Sequence, residues 1–252
     1  MSDPNKQLFD NYARHYESMA VIERLPDDIE RLKRDRLPRW IDEVPRNSRI
    51  LDAGCAQGHL LAALQRVGFT DLTGVDLSSQ LLQTASRLVP CARLIESDIR
   101  DFLAGCPDGA FDVIFFHDVL EHLPREVTIP LLQAFYRVLA PGGRLSLRVP
   151  NLGALIGGYN AAIDFTHITH FTDYSLLQVL EAAGFDPTRV YLECQAPRLF
   201  WSWRKPHRAF FRFLNRLRWH LNNGVHLALY LLVDFRPRPT VFDPNLLVIA
   251  RK

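Results

Sequence analysis

From about residue 48 onward, short apolar runs alternate with segments whose apolar residues recur at helical spacing. This alternation is typical of a parallel sheet whose strands are joined by crossover helices. It predicts seven strands, at Arg49–Ala53, Leu72–Asp76, Ala92–Glu96, Phe111–His117, Gly143–Val149, Val190–Gln195 and Asn245–Ala250. Helices are predicted between them, at Gly58–Val67, Ser79–Leu88, Glu126–Leu139 and Tyr174–Ala183. The fold class is therefore α/β.

The chain is predicted to form one domain, residues 1–252. Its 252 residues and 48% apolar content are within what a single hydrophobic core can organise. Ahead of the first strand we predict a helical cap over residues 1–45, because apolar side chains recur there at helical spacing, at Leu8, Tyr12, Tyr16 and Met19. A long insertion, residues 197–243, separates the last two strands.

The composition argues against secretion, membrane spanning and a structural metal. The four cysteines form no C-x-x-C pair, so we expect reduced thiols and predict no bound metal. Residues 1–12 are polar and resemble no secretory signal. The longest apolar run, Val225–Val233, is far shorter than the roughly 20 residues of a membrane span. We therefore expect a cytoplasmic protein that does not cross a membrane.

Residues that suit a nucleoside ligand follow each of the first three predicted strands. Gly54 and Gly58 bracket the turn after the first strand, where the chain can approach a ligand closely. Asp76 ends the second strand, where a carboxylate can accept hydrogen bonds from ribose hydroxyls. Asp98 and Ile99 follow the third, where they can accept from an adenine amino group and pack on its ring.

These segments resemble the motifs of the class I S-adenosylmethionine-dependent methyltransferases over about residues 48–186. The matching segments are Ile50–Leu61, Gly74–Ser78, Ser97–Ile99, Phe111–Pro124 and Pro141–Gly143. The resemblance implies a seven-stranded Rossmann-like sheet with an antiparallel last strand, N-terminal helices and a helical insertion before that strand. Ala56 departs from the family's usual central glycine. A nicotinamide-binding enzyme would instead prefer G-x-G-x-x-G, which the loop lacks.

The resemblance also implies which residues bind S-adenosylmethionine. The methionine end would lie against Asp52, Gly54, Cys55 and Gly58. The nucleoside would lie against Asp76, Leu77, Asp98 and Ile99. His117 and Asp118 would face the sulfonium, and the acceptor would contact Tyr12, Tyr16, Asp118 and Asp164.

Methyl transfer to a hydroxyl needs a group that removes the hydroxyl proton. Asp164–Asp173 contains two histidines three residues apart, which would face one side if the segment is locally helical. We predict His167 or His170 as the base. Alternatively, these histidines bond the loop backbone and Thr172 caps the next helix. A third interpretation is a divalent metal site, at Asp118, Glu121, His122 and a later histidine.

The 197–243 insertion has nine basic residues and two acidic ones, interleaved with aromatic side chains. This pattern favours either a helix in an anionic membrane interface or a helical hairpin packed on the domain or on a second subunit of a homodimer. Nucleic acid ranks last, because nothing else in the sequence indicates base recognition.

The segment from Asp164 to Phe171, the basic insertion and the last strand are together similar to methyltransferases of bacterial surface-polysaccharide biosynthesis. This resemblance implies O-methylation of a sugar hydroxyl, with a saccharide or lipid-linked glycan as acceptor at the inner face of the cytoplasmic membrane. Two alternatives stay open. One is an O-methyltransferase of a quinone precursor, and the other is a non-catalytic, methyltransferase-like scaffold in a glycan-assembly complex.

Overall fold

The computed structural model describes residues 32–33, 37–155, 157–193, 206–233 and 240–252. Most of the predicted 1–45 cap, including Tyr12 and Tyr16, lies outside the described residues. So do residues 194–205 and 234–239 of the region around the insertion.

The seven predicted strands are all present and form one sheet. They are β1 (Arg49–Ala53), β2 (Asp71–Asp76), β3 (Arg93–Glu96), β4 (Phe111–His117), β5 (Leu139–Pro150), β6 (Val190–Leu192) and β7 (Asn245–Arg251). Their order is β3-β2-β1-β4-β5-β7-β6, with β1 to β5 parallel and β7 antiparallel to both neighbours. The predicted fold class and the antiparallel last strand are confirmed.

Seven α-helices are assigned within the described residues. They are α1 (His59–Arg66), α2 (Ser79–Leu88), α3 (Ile99–Ala104), α4 (Arg125–Val138), α5 (Gly157–Ala162), α6 (Asp173–Ala182) and α7 (Pro206–Leu232). The sequence pattern missed α3 and α5, because six residues are too few to show a helical period. No helix of the described ranges is both long enough and apolar enough to cross a bilayer.

The sheet is covered on both faces by apolar side chains. Successive strand residues point to opposite faces, so Phe115 and Phe116 of β4 enter different clusters of the core. Phe116 packs against Phe135 of α4, with ring centroids 4.9 Å apart. Phe115 stacks on Trp40, whose ring lies 5.8 Å away, in a short 3-10 helix at Arg39–Glu43. The residues just before β1 therefore close one face of the sheet.

Asn151, immediately after β5, links the carboxyl end of β5 to the segment that enters β7. Its buried amide nitrogen donates to the carbonyl oxygens of Val241 and Asp243, at 3.0 and 2.9 Å. Its side-chain oxygen accepts from the backbone N–H of Gly153 at 2.9 Å. One side chain therefore satisfies three buried or half-buried backbone groups from two distant parts of the chain.

Replacing Asn151 by Ala should lower stability by about 1–3 kcal/mol, because three backbone partners lose their hydrogen bonds. For a chain of this size we expect the melting temperature to fall by about 2–4 °C per kcal/mol. Asn160→Ala is the matched control, because within the described residues Asn160 makes one side-chain bond, to the Pro244 carbonyl at 3.3 Å. Thermal unfolding of both variants tests this, and equal losses would contradict the role given to Asn151.

Candidate active site

The loop between β1 and α1 is shaped by backbone contacts with β2. The N–H groups of Gly54 and Cys55 both donate to the Val75 carbonyl oxygen, at 2.8 and 3.0 Å. Gly54 has φ +79°, and a Cβ there would collide with the side chain of Val119. The loop therefore turns sharply only because Gly54 is glycine, and the turn brings it against the segment that follows β4.

Ala56 adopts φ +44°, in the left-handed region that favours glycine. The backbone has thus kept a glycine-like conformation at the position where the sequence departs from the family. Its N–H donates to the Asp76 carboxylate at 2.9 Å, and this bond helps to hold the conformation.

Asp76 ends β2, at the edge of the sheet where the carboxyl ends of the parallel strands meet. We call this edge the cofactor edge. One carboxylate oxygen accepts from Ala56 N–H and the other from Ser78 N–H, both at 2.9 Å. A carboxylate oxygen has two acceptor positions, so each still has capacity for a ligand hydroxyl. Leu77 beside it is 66% exposed, which leaves an apolar surface open at the predicted nucleoside position.

Asp98 is more heavily engaged than the sequence suggested. Its side chain caps α3 and forms a two-pronged ion pair with Arg100, at 2.6 and 2.9 Å. Ile99 is half-buried against the core. The adenine contacts of Asp98 and Ile99 stay predictions.

Cys55 and Gly58 shape the loop after β1 mainly through their backbone groups. The buried Cys55 side chain belongs to the core, and burial raises the pKa of its thiol. Gly58, with φ +75°, precedes α1 and lies close to α2, since a Cβ there would be within 3.0 Å of the Ala85 Cβ.

The carboxylates at this edge suit a cationic ligand. Asp52 is buried at the end of β1, and burial, with the Asp76 carboxylate nearby, raises its pKa to about 7. Burial also raises the pKa of Asp76. Because burial disfavours the negative charge of both groups, a positive group nearby stabilises their ionised forms. S-adenosylmethionine carries an ammonium and a sulfonium, so these residues fit it.

His117 and Asp118 have partners within the protein. His117 Nε2 lies 2.9 Å from the Ser146 hydroxyl, and burial lowers the pKa of this histidine to about 3, so the ring is neutral. A neutral ring does not repel a sulfonium. Asp118, at φ +55°, accepts two hydrogen bonds from Arg148 Nε at 2.9 and 3.0 Å and forms an ion pair with that guanidinium. Their cofactor and acceptor contacts stay predictions.

A second polar cluster follows β4, where the Glu121 backbone joins the histidine segment. The N–H groups of Ile168 and Thr169 both donate to the Glu121 carbonyl, at 2.9 and 3.0 Å. This pairing places His167 Nε2 4.0 Å from the Glu121 carboxylate. His122 lies against the same ring, with centroids 4.8 Å apart.

The two predicted base candidates are separated by the structure. The segment after α5 is not helical at residues 163–170, so the two histidines do not share a helical face. His167 turns inward with its side chain 10% exposed, whereas His170 is exposed. Asp164 shapes this turn by accepting from the Thr166 N–H and hydroxyl, at 2.9 and 2.7 Å. Thr166 in turn bonds His122 Nδ1 at 2.7 Å.

Two polar atoms of the cluster are buried without a hydrogen-bond partner among the described residues, Glu121 Oε2 and His167 Nδ1. Burial, with the Asp118 carboxylate, raises the pKa of Glu121 to about 8. Donor atoms of Glu121, His122 and His167 lie within 4.8 Å of one another, a spacing that could also hold a cation. From the sequence, Glu121 was considered only as a ligand of a metal site, and its pairing with His167 was not predicted.

The strand order, with β7 antiparallel between β5 and β6, is that of the class I S-adenosylmethionine-dependent methyltransferases. The residues at the cofactor edge suit the same class. The chain belongs to the family described as "Methyltransferase domain", whose model matches residues 18–190. The predicted cofactor, S-adenosylmethionine, is thereby confirmed.

The chain is similar to several known proteins. Trans-aconitate 2-methyltransferase of Azoarcus sp. (strain BH72) is 32% identical over 129 residues, covering 50% of this chain and 48% of that protein. Ubiquinone biosynthesis O-methyltransferase of Xanthomonas oryzae pv. oryzae (strain PXO99A) is 32% identical over 168 residues, covering 62% of this chain and 68% of that protein. The solved structure of a SAM dependent methyltransferase from Archaeoglobus fulgidus superposes with a TM-score of 0.63 at 22% identity. The match covers 98% of this chain and 99% of that one. This last likeness shows the fold alone.

Asp76→Ala should weaken S-adenosylmethionine binding by about 1–3 kcal/mol, because the ribose loses its acceptors and the N–H groups of Ala56 and Ser78 lose theirs. Asp71→Ala is the control, since Asp71 is exposed at the opposite end of β2. Calorimetric titration compares the two variants. Equal affinities for Asp76→Ala and the unmodified chain would remove Asp76 from the site.

The affinity for S-adenosylmethionine should rise with pH through the range around the Asp52 pKa of about 7. Below this pH the carboxyl is protonated and cannot pair with a cation. We expect binding about tenfold weaker at pH 6 than at pH 8, relative to Asp52→Asn measured at the same pH values. Referring each value to this variant removes the titration of the ligand itself. Parallel pH profiles for the two proteins would contradict the assignment.

Proposed function

We propose that the chain transfers the methyl group of S-adenosylmethionine to a hydroxyl oxygen, with His167 accepting the hydroxyl proton. The observation that carries this proposal is the position of His167, inward-facing and 4.0 Å from the buried Glu121 carboxylate. Gly54 packs directly against Val119, so the Glu121 segment adjoins the first cofactor loop. The base and the cofactor edge are therefore neighbours.

Bound S-adenosylmethionine supplies a methyl group on a positively charged sulfur. The acceptor oxygen forms a bond to the methyl carbon while the carbon–sulfur bond breaks and leaves a neutral thioether. The hydroxyl proton passes to the His167 imidazole. Burial keeps Glu121 largely protonated before transfer, and the positive ring that forms 4.0 Å away favours its ionised form. Once ionised, the carboxylate stabilises the imidazolium.

The chain around His167 favours an acceptor with an apolar body. Six large apolar side chains are exposed between the end of β5 and Thr169, and we call them the entrance: Leu152, Leu155, Tyr159, Ile163, Phe165 and Ile168. Phe165, two residues from the base, is 86% exposed. Exposed apolar side chains concentrated in one segment are typical of a binding surface.

We infer that the acceptor is a phenolic hydroxyl on a ring with an apolar tail, as in a quinone precursor. The entrance supports this inference, and so does the similarity to a ubiquinone biosynthesis O-methyltransferase. The sugar hydroxyl of a lipid-linked glycan stays a prediction, because it rests on resemblance and the proteins compared above do not support it.

The experiment is to measure S-adenosylhomocysteine release with three kinds of acceptor, an alkyl-tailed catechol, a free oligosaccharide and a lipid-linked oligosaccharide. Each is assayed with Mg²⁺ and with a chelator. Turnover with the catechol supports the phenolic acceptor, and turnover only with a saccharide replaces it by the glycan. A chelator-sensitive rate would assign Glu121, His122 and His167 to a cation. Cofactor binding without turnover on any acceptor would favour the scaffold.

With an active acceptor, His167→Ala should lower turnover about 10²–10⁴-fold, the range typical of a lost general base, and leave S-adenosylmethionine binding unchanged. His170→Ala is the matched control, because it is a histidine of the same segment that is exposed to solvent. Should both variants retain full turnover, His167 would not be the base.

A further inference from the structure

The long helix α7 attaches to the domain by one face. Trp219 Nε1 donates to the Asp243 carboxylate at 2.5 Å, and the Tyr230 hydroxyl donates to the Gly153 carbonyl at 3.3 Å. The buried His226 accepts from the N–H of Leu155 and packs against Phe242, with centroids 5.0 Å apart. Because a helix turns about 100° per residue, these three anchor side chains lie on the same side of α7.

The side of α7 opposite these anchors is apolar and faces solvent. Eight large side chains fall within about 60° of the line opposite the anchors. They are Phe210, Phe213, Leu214, Leu217, Leu221, Val225, Leu231 and Leu232, all between 38% and 81% exposed. We call these eight residues the apolar stripe. A surface helix normally buries its apolar side against the core, and α7 does the reverse.

The charge of α7 is of one sign. Its sequence contains four arginines and neither Asp nor Glu. Of these arginines, Arg218 is exposed and projects beside the apolar stripe, as its position on the helical wheel shows. An apolar stripe on a helix with only positive charge matches the two layers of an anionic bilayer surface, acyl chains below and phosphate groups above.

We propose that α7 lies flat in the interface of an anionic phospholipid bilayer, with the apolar stripe among the acyl chains and Arg218 at the phosphates. A second copy of the chain fits this surface less well. Two α7 helices packed stripe to stripe would bring together two segments that each carry positive charge and no acidic side chain. An anionic bilayer offers negative charge that a second α7 does not.

Docking by α7 would also set where the entrance lies. The helix is anchored to Gly153 and Leu155, at the start of the exposed apolar segment that leads to His167. That segment would therefore begin close to the bilayer surface. The docking proposal itself does not depend on the acceptor or on turnover.

The experiment is flotation of the full chain with lipid vesicles, without cofactor or acceptor. The chain should float with vesicles of phosphatidylcholine and phosphatidylglycerol, bind pure phosphatidylcholine more weakly, and lose part of its binding at high salt. Leu221→Asp, in the middle of the stripe, should reduce binding more than tenfold, because an acid enters the acyl region. Arg218→Gln should reduce binding about fivefold on anionic vesicles only.

Leu88→Asp is the matched control, because Leu88 of α2 is an exposed leucine away from α7 and should keep the binding of the unmodified chain. Unchanged circular dichroism and S-adenosylmethionine titration show that Leu221→Asp still folds. The proposal is overturned if the unmodified chain does not float or if Leu221→Asp floats as well as it does. A dimer in sedimentation that Leu221→Asp dissociates, without vesicle binding, would assign the stripe to a second copy.

Discussion

The shape of the cofactor edge depends on the two hydrogen bonds that the Asp76 carboxylate accepts from the backbone of Ala56 and Ser78. The first holds the loop after β1 in a left-handed turn that an alanine would otherwise avoid, and the second fixes the entry into α2. One carboxylate thus shapes the floor of the cofactor site and still has capacity for a ligand. Its pKa is raised because burial opposes its negative charge.

Local pattern was enough to predict the sheet. Each strand is a short apolar run, and β1 and β4 have the bounds that the sequence indicated. Ser78 was also predictable as the cap of α2, because a serine before an apolar helical period accepts from the first turn, here from Leu81 N–H at 3.3 Å. Such features depend on neighbours in sequence. The cofactor residues were predicted for a related reason, since strand ends meet at one edge of a parallel sheet.

What the sequence did not show depends on contacts between distant residues. His167 and Glu121 are brought together by backbone bonds between two loops, and neither loop has a period that predicts the pairing. The ion pair between Asp98 and Arg100, two residues on, was also not indicated by the sequence. The amphipathic nature of α7 was visible, but which side packs on the domain was not. That choice is made by Asp243, Gly153 and Leu155, which lie outside the helix.

The position of β7 between β5 and β6 has a consequence for how the chain folds. β6 pairs only with β7 among the described strands, so it cannot join the sheet until residues 245–251 have been made. Closing the sheet therefore requires contacts across the whole insertion, and such long-range pairing is slow compared with helix formation. During synthesis α7 leaves the ribosome first, while the edge of β5 is still open. A helix that forms before the sheet closes can meet a lipid surface while the domain is still incomplete.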